Sequence, residues 1–432
     1  MMIEAVRLAV EVLSEVELRR KSEKLAMSEV VTRMGIRDAG TIGFAHRLVM
    51  ETLKHIGLVD EIAKKVLSEG GLSPTELRAR TRAFLRLLIY RAAVEKAGKG
   101  RLLDFVRAGR EALGRKALKP VEAFLGRCLT VSAEEALSGK HGDDRISLEL
   151  SVPKWLFKRF CRDLGRREAI SFLKASLGPL PTYVRLNTLK EEEERILRRL
   201  RGEKVELEPV EEIKHVYKVI SSEKPLVLTK AYGEGLFYIQ DKASCLAVEV
   251  ADPKPGQVVL DVCAAPGAKT THLAQLMGNR GRIISVDISD RRMKAWDELV
   301  ARMGVRIAEP LLADARFDLP LRLQADIVLL DPPCTATGSF ARTPSAKWRL
   351  TPRSARNMAR IQARMLHSCS KHVKPGGSLV YANCTLTLEE NELVIEAFLR
   401  THPDFELEPL NHLGSPGLRG LEAARRLSLI HI

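Results

Sequence analysis

The sequence predicts a multidomain α + α/β protein with an all-helical N-terminal domain, a small α+β middle domain and a Rossmann-like, doubly wound C-terminal domain. Its 432 residues suffice for about two to four domains. Apolar residues recur at helical steps over residues 1–135, and strand-like runs alternate with helical segments after residue 256. We place the three domains at residues 1–140, 147–245 and 246–432.

The N-terminal domain is predicted to be helical throughout. Apolar side chains repeat at three- and four-residue steps over residues 45–66. Residues 73–76 (Ser-Pro-Thr-Glu) form a capping box with proline at the first helical position, which predicts a helix over residues 77–94. That helix carries five arginines, which either pair with acidic side chains or contact phosphates: Arg78, Arg80, Arg82, Arg86 and Arg91. Residues 139–144 are predicted to form a linker.

The two following domains are predicted to contain strands. In the middle domain we expect a strand at residues 183–187 and a charged helix at residues 191–201. In the C-terminal domain, strands are predicted at residues 258–262, 282–286, 326–330 and 378–381, with a weaker one ending near residue 312. Helices are predicted at residues 269–277, 290–303 and 352–372. Residues 374–377 are predicted to form a turn, and residues 387–390 a second capping box.

The composition indicates a partner of opposite charge. The chain has 70 Lys and Arg residues against 55 Asp and Glu, a formal net charge of +15. Nucleic acid is the first candidate partner and an anionic membrane surface is the second. The apolar fraction of 45% excludes collagen-like and fully disordered chains. Because no apolar run reaches about 18 residues and no signal-peptide core follows Met1, we expect a cytoplasmic protein without membrane spans.

The cysteines are spaced too far apart for a metal-binding motif. None forms a Cys-x-x-Cys pair, so we expect no structural metal site. Reduced thiols are expected, and an important cysteine is then more consistent with catalysis than with a disulfide. The seven are Cys128, Cys161, Cys245, Cys263, Cys334, Cys369 and Cys384.

Polar or nucleophilic side chains follow every predicted strand of the C-terminal domain. Because the carboxyl ends of parallel strands meet at one edge of a sheet, where ligands bind, we expect these side chains to form one site. A single acidic residue could simply cap a helix, whereas five strand ends together indicate a binding site. The residues are the loop 263–269, Asp287, Asp314, the run Asp331-Pro332-Pro333-Cys334, and Asn383-Cys384.

The loop at residues 263–269 favours an adenosyl cofactor that lacks a pyrophosphate. Its single glycine, Gly267, does not make a Gly-x-Gly-x-x-Gly or a phosphate-binding loop. Asp287 ends the next strand, where an acidic side chain accepts hydrogen bonds from ribose hydroxyls. S-adenosylmethionine satisfies both observations.

Two cysteines at two strand ends indicate chemistry on a pyrimidine ring. Carbon 5 of a pyrimidine is a poor nucleophile, but addition of a thiolate to carbon 6 gives it enamine character. Carbon 5 can then take a methyl group, and elimination of the thiolate restores the ring. Cys334, after a rigid Pro-Pro pair, and Cys384, at a strand end, are the candidates.

These motifs resemble those of the RsmB (Sun/Fmu) group of S-adenosylmethionine-dependent RNA cytosine-5 methyltransferases. The resemblance covers nearly the whole chain, and its motifs are long, ordered and specific. The N-terminal part resembles the NusB-like RNA-binding domain of the ribosomal-RNA branch, and residues 147–250 resemble the small domain beside it. The matching segments are 238–244, 261–270, Asp331–Cys334 with Thr337-Gly338 and Lys347-Trp348-Arg349, and Tyr381–Cys384 with residues 389–392.

The resemblance implies a role for each site residue. Asp287 would bind the ribose of the cofactor with help from Arg292, and Asp314 would bind its adenine end. Asp331 would lie between the cofactor and the target base, with Lys269 near both. Cys384 would be the nucleophile, and Cys334 would assist release of the methylated product. The methionine part of the cofactor would be held by Cys263, Ala264, Ala265, Pro266, Gly267, Ala268 and Lys269.

The sequence departs from the family pattern at three places. Ala268 replaces a second glycine, and Asn383 replaces the threonine that usually precedes the nucleophile. The resemblance also implies a final antiparallel strand after residue 417, and the sequence predicts that this strand is missing or reduced to a few apolar residues.

Three functions remain open on the sequence, and methylation of cytosine carbon 5 in RNA is the leading one. Ribosomal RNA is favoured as the substrate and tRNA is the alternative. A second possibility is a non-catalytic, NusB-like RNA-binding assembly factor. A third is methylation of an exocyclic amine, but such enzymes use an aromatic residue at the position of Cys334.

Overall fold

The computed structural model describes residues 1–408, 415–416 and 428–429, which belong to two compact units. One unit consists of residues 1–179 and 339–352, and the other of residues 180–338 together with the described residues from 353 onward. The domain boundaries at residues 140, 147, 245 and 246 stay predictions. In the described part of the chain, no helix combines the length and the apolar character needed to cross a bilayer.

The first unit is helical, as predicted. Its central helix α1 packs against α2, α3, α5 and α6, and apolar residues from all of them share one core. The helices are α1 Met2–Arg19, α2 Glu23–Met34, α3 Ala39–Lys54, α4 Ile56–Ser68, α5 Ala79–Ile89, α6 Lys99–Leu113, α7 Arg115–Leu118, α8 Leu125–Thr130, α9 Ala133–Leu137, α10 Gly142–Glu149, α11 Lys154–Leu164 and α12 Arg166–Ala175.

Two predicted boundaries in this unit were wrong. The capping box at residues 73–76 does not begin α5, because Leu77 and Arg78 are extended and separate a short 3-10 turn from the helix. The helix continues past Ile89 as a π-helical turn, Tyr90–Val94. The predicted linker at residues 139–144 is partly helical, since α10 begins at Gly142.

The arginines on and after α5 are largely neutralised within the unit. Arg86 contacts Asp60 at 2.6 Å and Glu17 at 2.9 Å. Arg80 and Arg82 pair with acidic side chains of α1, and Arg91 pairs within its own turn. Of the two interpretations left open by the sequence, the structure favours the salt-bridged face over the phosphate-contacting face for these four side chains.

A segment distant in sequence completes the first unit. Residues 339–352 pack among the N-terminal helices. The ring of Phe340 lies 6.1 Å from that of Phe160, edge to face. Lys347 is buried and donates from Nζ to the carbonyl oxygen of Lys54 at 3.1 Å. The first unit therefore contains Lys347, Trp348 and Arg349, which belong to the motif predicted at residues 331–334, 337–338 and 347–349.

A four-stranded antiparallel sheet begins the second unit, and the predicted strand near residue 183 is confirmed. The strand order is β2-β3-β1-β4. Helix α13 covers one face and contributes apolar residues to a small core with the strands. The elements are β1 Tyr183–Leu186, α13 Glu193–Gly202, β2 Val205–Pro209, β3 Val216–Ser222, α14 Lys230–Gly233 and β4 Phe237–Ile239.

The five strands predicted near the C-terminus form one parallel sheet in the order β7-β6-β5-β8-β9. The last strand is longer than predicted, because residues 374–377 belong to β9 as a register irregularity between the pairs Ala325–Val373 and Ile327–Ser378 instead of forming a turn before it. The elements are α15 Lys242–Ala251, β5 Val258–Val262, α16 Ala268–Leu276, β6 Arg282–Asp287, α17 Asp290–Met303, β7 Ala308–Leu312, β8 Ala325–Leu330 and β9 Val373–Tyr381.

Helices cover both faces of the parallel sheet, which confirms the doubly wound prediction. Apolar residues of α15, α16 and α17 form the core on one face. The helices Ser354–Ser370 and Glu392–Thr401 form the core on the other face. Because the chain changes face between β5 and β8, the loops that follow these strands flank a topological switch point.

The final antiparallel strand that the family resemblance implies after residue 417 lies largely outside the described residues. Ser415–Pro416 and Ser428–Leu429 pair antiparallel with each other. The prediction that the strand is missing or reduced concerns the undescribed stretches around these pairs.

Candidate active site

The carboxyl ends of the parallel strands open onto a cavity of about 570 Å³. This volume lies within the range of small-molecule sites in proteins. The loops that follow all five strands contribute to its wall, as the strand-end argument predicts. The predicted site residues on the wall are Cys263, Asp287, Arg292, Asp314, Asp331, Cys334 and Cys384.

The loop between β5 and α16 is held in a conformation with two left-handed residues. Cys263 has φ = 65° and Gly267 has φ = 107°. A side chain on Gly267 would place its Cβ 3.1 Å from the indole of Trp296, so glycine is required there on two grounds. Of the predicted loop residues, only Cys263 lines the cavity in the described structure; Ala264, Ala265 and Gly267 are buried, Ala268 and Lys269 are half-buried, and Pro266 is exposed.

Asp287 ends β6 with its carboxylate almost fully buried. It accepts hydrogen bonds from the backbone N–H of Ser289 at 3.0 Å and of Ala265 at 3.3 Å. Arg292 contacts it at 3.1 Å and also donates to the carbonyl oxygen of Ala265. The carboxylate is therefore fixed in direction at the cavity wall, as recognition of a diol requires.

Asp314 follows β7 and is held by a neighbour that the sequence analysis missed. Arg316 donates to both of its carboxylate oxygens, the shortest contact being 2.6 Å. This hydrogen bonding lowers the pKa of Asp314 below its usual value. Arg316 also lines the cavity. The spacing Asp-x-Arg directly after a strand was the signal that could have identified it.

Lys269 and Asp331 form an ion pair across the end of the sheet. Lys269 Nζ lies 2.5 Å from Asp331 Oδ2. Burial opposes the charge of Lys269, but the carboxylate of Asp331 offsets it and raises the pKa of the lysine. Nearby, burial raises the pKa of Asp261 to about 6. Asp261 Oδ1 has no hydrogen-bond partner in the described structure, although Thr270 donates to Oδ2 at 2.6 Å.

The structure brings Cys334 and Cys384 together from loops 50 residues apart. Their Sγ atoms lie 3.2 Å from each other. The hydrogen bond to Cys384, together with burial, raises the pKa of Cys334. Burial likewise raises the pKa of Cys263. Cys334 and Cys263 are thus held as protonated thiols, and the contact between Sγ atoms places Cys384 directly beside the thiol of Cys334.

A buried hydroxyl network behind the two cysteines was also missed by the sequence analysis. Each cysteine is followed by the pattern Thr-x-Thr, at residues 335–337 and 385–387. Thr337 Oγ1 lies 2.9 Å from Thr385 Oγ1, and Gly338 N donates to Cys384 O at 3.0 Å. The repeated pattern was the available signal, but its meaning depends on the pairing of two loops distant in sequence.

No cluster of three or more His, Cys, Asp or Glu side chains is arranged to hold a metal ion within residues 1–408. The cavity instead presents carboxylates, arginines and two thiols. This donor set suits a small organic ligand with hydroxyl and amine groups.

Two known families match separate parts of this chain. A family described as 16S rRNA methyltransferase RsmB/F matches residues 248–427. A second family, described as the Methyltr_RsmF/B-like ferredoxin-like domain, matches residues 152–221. The first match contains every residue assigned to the cavity above.

Individual relatives extend the similarity over most of the chain. A Bacillus subtilis protein named "Probable ribosomal RNA small subunit methyltransferase B" is 28% identical over 92% of this chain and 89% of its own length. A ribosomal RNA small subunit methyltransferase B of Serratia proteamaculans is 30% identical over 72% of each chain. A tRNA (cytosine(72)-C(5))-methyltransferase of Pyrococcus horikoshii is 38% identical, but over only 46% of this chain and 49% of its own length.

Solved structures share the fold. The crystal structure of PH0851 superimposes with a TM-score of 0.83 at 29% identity, covering 98% of this chain and 96% of that one. The structure of NSun6 from Pyrococcus horikoshii with SFG gives a TM-score of 0.58 at 26% identity, covering 62% of this chain and 92% of that one.

Proposed function

The chain belongs to the RsmB/F family of RNA cytosine-5 methyltransferases, and from this membership we propose that it transfers the methyl group of S-adenosylmethionine to carbon 5 of a cytosine in ribosomal RNA. The single observation that carries the proposal is the pair of thiols of Cys334 and Cys384, 3.2 Å apart at the cavity wall. The cytoplasmic location expected from the sequence is part of the same proposal.

The cavity residues fit S-adenosylmethionine. When bound, this cofactor supplies an electrophilic methyl group. The fixed carboxylate of Asp287 suits the ribose hydroxyls, with Arg292 orienting it, and Asp314 suits the adenine end. The unpartnered Oδ1 of Asp261 leaves a buried acceptor available beside the loop 263–269, which is assigned to the methionine part. The NSun6 neighbour, solved with SFG, supports a ligand in this fold.

The two cysteines divide the covalent chemistry between them. Cys384 Sγ adds to carbon 6 of the cytosine, and carbon 5 becomes nucleophilic enough to accept a methyl group. The raised pKa of Cys334 makes its conjugate thiolate a strong base. Cys334 first loses its own thiol proton to solvent water. Its thiolate then takes the proton from carbon 5, the electron pair of that C–H bond forms the double bond between carbons 5 and 6, and Cys384 leaves carbon 6 as a thiolate. The ion pair of Lys269 and Asp331 lies beside this reaction and orients the base.

Ribosomal RNA is the favoured substrate because of where the similarity extends. Two relatives named for small-subunit ribosomal RNA match this chain over 89% and 72% of their own lengths, whereas the tRNA enzyme matches over 49% of its length. We assign the helical unit to RNA binding in a NusB-like role. Methylation of tRNA is the second candidate. The intact cavity and thiol pair oppose the non-catalytic assembly-factor function.

Replacement of Cys384 by alanine tests the proposal directly. We expect the wild type to transfer radiolabelled methyl from S-adenosylmethionine to small-subunit ribosomal RNA, with 5-methylcytosine as the only labelled nucleoside. Cys384→Ala should reduce this transfer by at least about 10³-fold, because the covalent route is lost. Small-subunit ribosomal RNA and tRNA are assayed in parallel, with nucleoside analysis of each product.

Cys161→Ala is the matched control, because Cys161 belongs to the helical unit and is not among the residues that line the cavity. It should retain full activity. If only tRNA is labelled, the substrate class is tRNA and the assignment to ribosomal RNA is wrong. Persistent transfer by pure Cys384→Ala would contradict the assignment of the nucleophile.

A further inference from the structure

Glu390 is a carboxylate buried directly behind the two active-site cysteines. Its side chain has no exposed surface. It accepts five hydrogen bonds: from the N–H and hydroxyl of Thr335, the hydroxyls of Thr385 and Thr387, and the side-chain amide of Gln362. The contact with Thr385 measures 3.1 Å, that with Thr387 2.7 Å and that with Gln362 3.0 Å. An ionised carboxylate is an acceptor only, so it complements five donors.

The five donors come from three separate parts of the second unit. Thr335 directly follows Cys334, and Thr385 directly follows Cys384. Gln362 belongs to the helix Ser354–Ser370 and also donates to the carbonyl of Pro333, one residue before Cys334, at 3.0 Å. Glu390 is thus bonded to the residue after each cysteine, and through Gln362 to the backbone before one of them.

Stability alone is a poor explanation for this arrangement. Among the described residues, neither a lysine nor an arginine pairs with Glu390, so its charge is buried without a cation. Burial of an unpaired charge costs several kcal/mol before hydrogen bonding offsets it, and apolar side chains of similar volume are often as stable or more so. A buried hydrogen-bonded network does, however, fix the relative position of the groups it joins, and both carboxylate oxygens of Glu390 are bonded, although Gln362 Oε1 has no partner in the described structure.

We propose that Glu390 is a positioning residue that holds the loops of Cys334 and Cys384 in register, so that both thiols address the same ring at once. This inference rests on the proposed function for its consequence, but its geometric content concerns the protein alone. Without the carboxylate, the two loops lose their common acceptor and the separation of the Sγ atoms is no longer fixed at 3.2 Å.

The test replaces Glu390 by glutamine and by alanine. Glutamine has the same shape, but its amide NH₂ group is a donor and would face the N–H and O–H donors that now bond to the carboxylate. The network is therefore broken. For both variants we expect kcat to fall about 100-fold, the cost of misplacing a reacting group by about 1 Å. The KM values for RNA and for S-adenosylmethionine should stay within about twofold, since neither ligand contacts the carboxylate. If Glu390 only stabilised the fold, its replacement would lower the fraction of folded enzyme, and kcat per folded molecule would stay at the wild-type value.

A second readout measures the thiol geometry without RNA or cofactor. Phenylarsine oxide condenses with two adjacent thiols, forming two As–S bonds and releasing one water. The wild type should bind one equivalent through Cys334 and Cys384, and Cys334→Ala should lose this binding. Glu390→Gln should bind at least about tenfold more weakly.

Glu396→Gln is the matched control, because Glu396 is half-buried in the next helix, outside the cavity wall and the hydroxyl network. It should match the wild type in both readouts. If Glu390→Ala does not fold, Thr385→Val removes one donor with little change of volume and should weaken arsenical binding in the same direction. Wild-type kcat and arsenical affinity in Glu390→Gln would overturn the inference. Because the arsenical assay needs no substrate, its result stands even if no RNA is methylated.

Discussion

The thiol of Cys334 is the group on which the proposed release of the methylated product depends. Its hydrogen bond to Cys384 and its burial both raise its pKa. A thiol of this kind is a poor nucleophile at neutral pH and so unsuited to begin the reaction, whereas its thiolate, once formed, is a strong base. The proposed order of events therefore assigns addition to Cys384 and release to Cys334.

Cys334→Ala should separate addition from release. Without the proton acceptor, the bond between Cys384 and carbon 6 forms but is not broken, so a covalent protein–RNA adduct should accumulate in the presence of S-adenosylmethionine. Denaturing gel electrophoresis with labelled RNA measures it. The double variant Cys334→Ala/Cys384→Ala should give no adduct, and absence of adduct in the single variant with Cys384 intact would refute the release role.

A second residue with an unusual environment lies in the helical unit. Lys347 is fully buried, and its ammonium group has the carbonyl of Lys54 as its acceptor. Burial, together with the charge of Lys54, lowers the pKa of Lys347 to about 7. The adjacent His55 also has its pKa lowered by burial, to about 4. Burial therefore disfavours the positive charge of Lys347 and of His55.

Lys347 should make the stability of the protein depend on alkaline pH. Between about pH 7 and pH 10.5 the lysine is neutral when folded and protonated when unfolded, so the free energy of unfolding should rise with pH across that window. Lys347→Met removes this contribution, and its advantage over the wild type should be largest below pH 7 and shrink above it. Urea unfolding from pH 6 to pH 10 measures the difference. Lys24→Met, at an exposed position, should show no such trend.

At the scale of elements, the turn between β5 and α16 combines a left-handed backbone at Cys263 and Gly267 with the proposed binding of the cofactor. Gly267 has φ = 107° and has no room for a Cβ beside Trp296. The sequence predicted this loop because small residues follow an apolar run, which is a local signal. The start of α5 was predicted wrongly from an equally local signal, because Leu77 and Arg78 take an extended conformation.

Gly267→Ala should weaken both the fold and the cofactor site. The left-handed backbone and the contact with Trp296 should cost about 1–3 kcal/mol in the free energy of unfolding. S-adenosylmethionine should raise the melting temperature of the wild type, since it binds only the folded state, and raise that of the variant less. Gly100→Ala in α6, where the Cβ meets no atom within 4 Å, should instead leave stability unchanged or raise it by up to about 1 kcal/mol. An equal melting shift in Gly267→Ala and wild type would contradict the prediction.

At the scale of the whole molecule, topology explains which parts of the site the sequence could predict. Parallel strands carry their functional residues to one edge wherever they lie in the chain, so Asp287, Asp314 and Asp331 were predictable from position alone. The carboxylate of Glu390 was not, because its partners come from two loops and a helix whose pairing no local pattern encodes. The sequence shows the net charge of +15 but not which cations are paired. Four of the arginines on and after α5 form ion pairs within the protein.

The segment 339–352 has a consequence during protein synthesis. This segment packs in the helical unit, yet the ribosome makes it roughly 160 residues after residue 179. At about 5–20 residues per second, the nascent helices wait roughly 10–30 s for the piece that carries Phe340 and Lys347. During that time Phe160 lacks the ring of Phe340, and the carbonyl of Lys54 lacks its donor from Lys347. The N-terminal unit therefore completes its fold only late in translation, although it is the first to emerge.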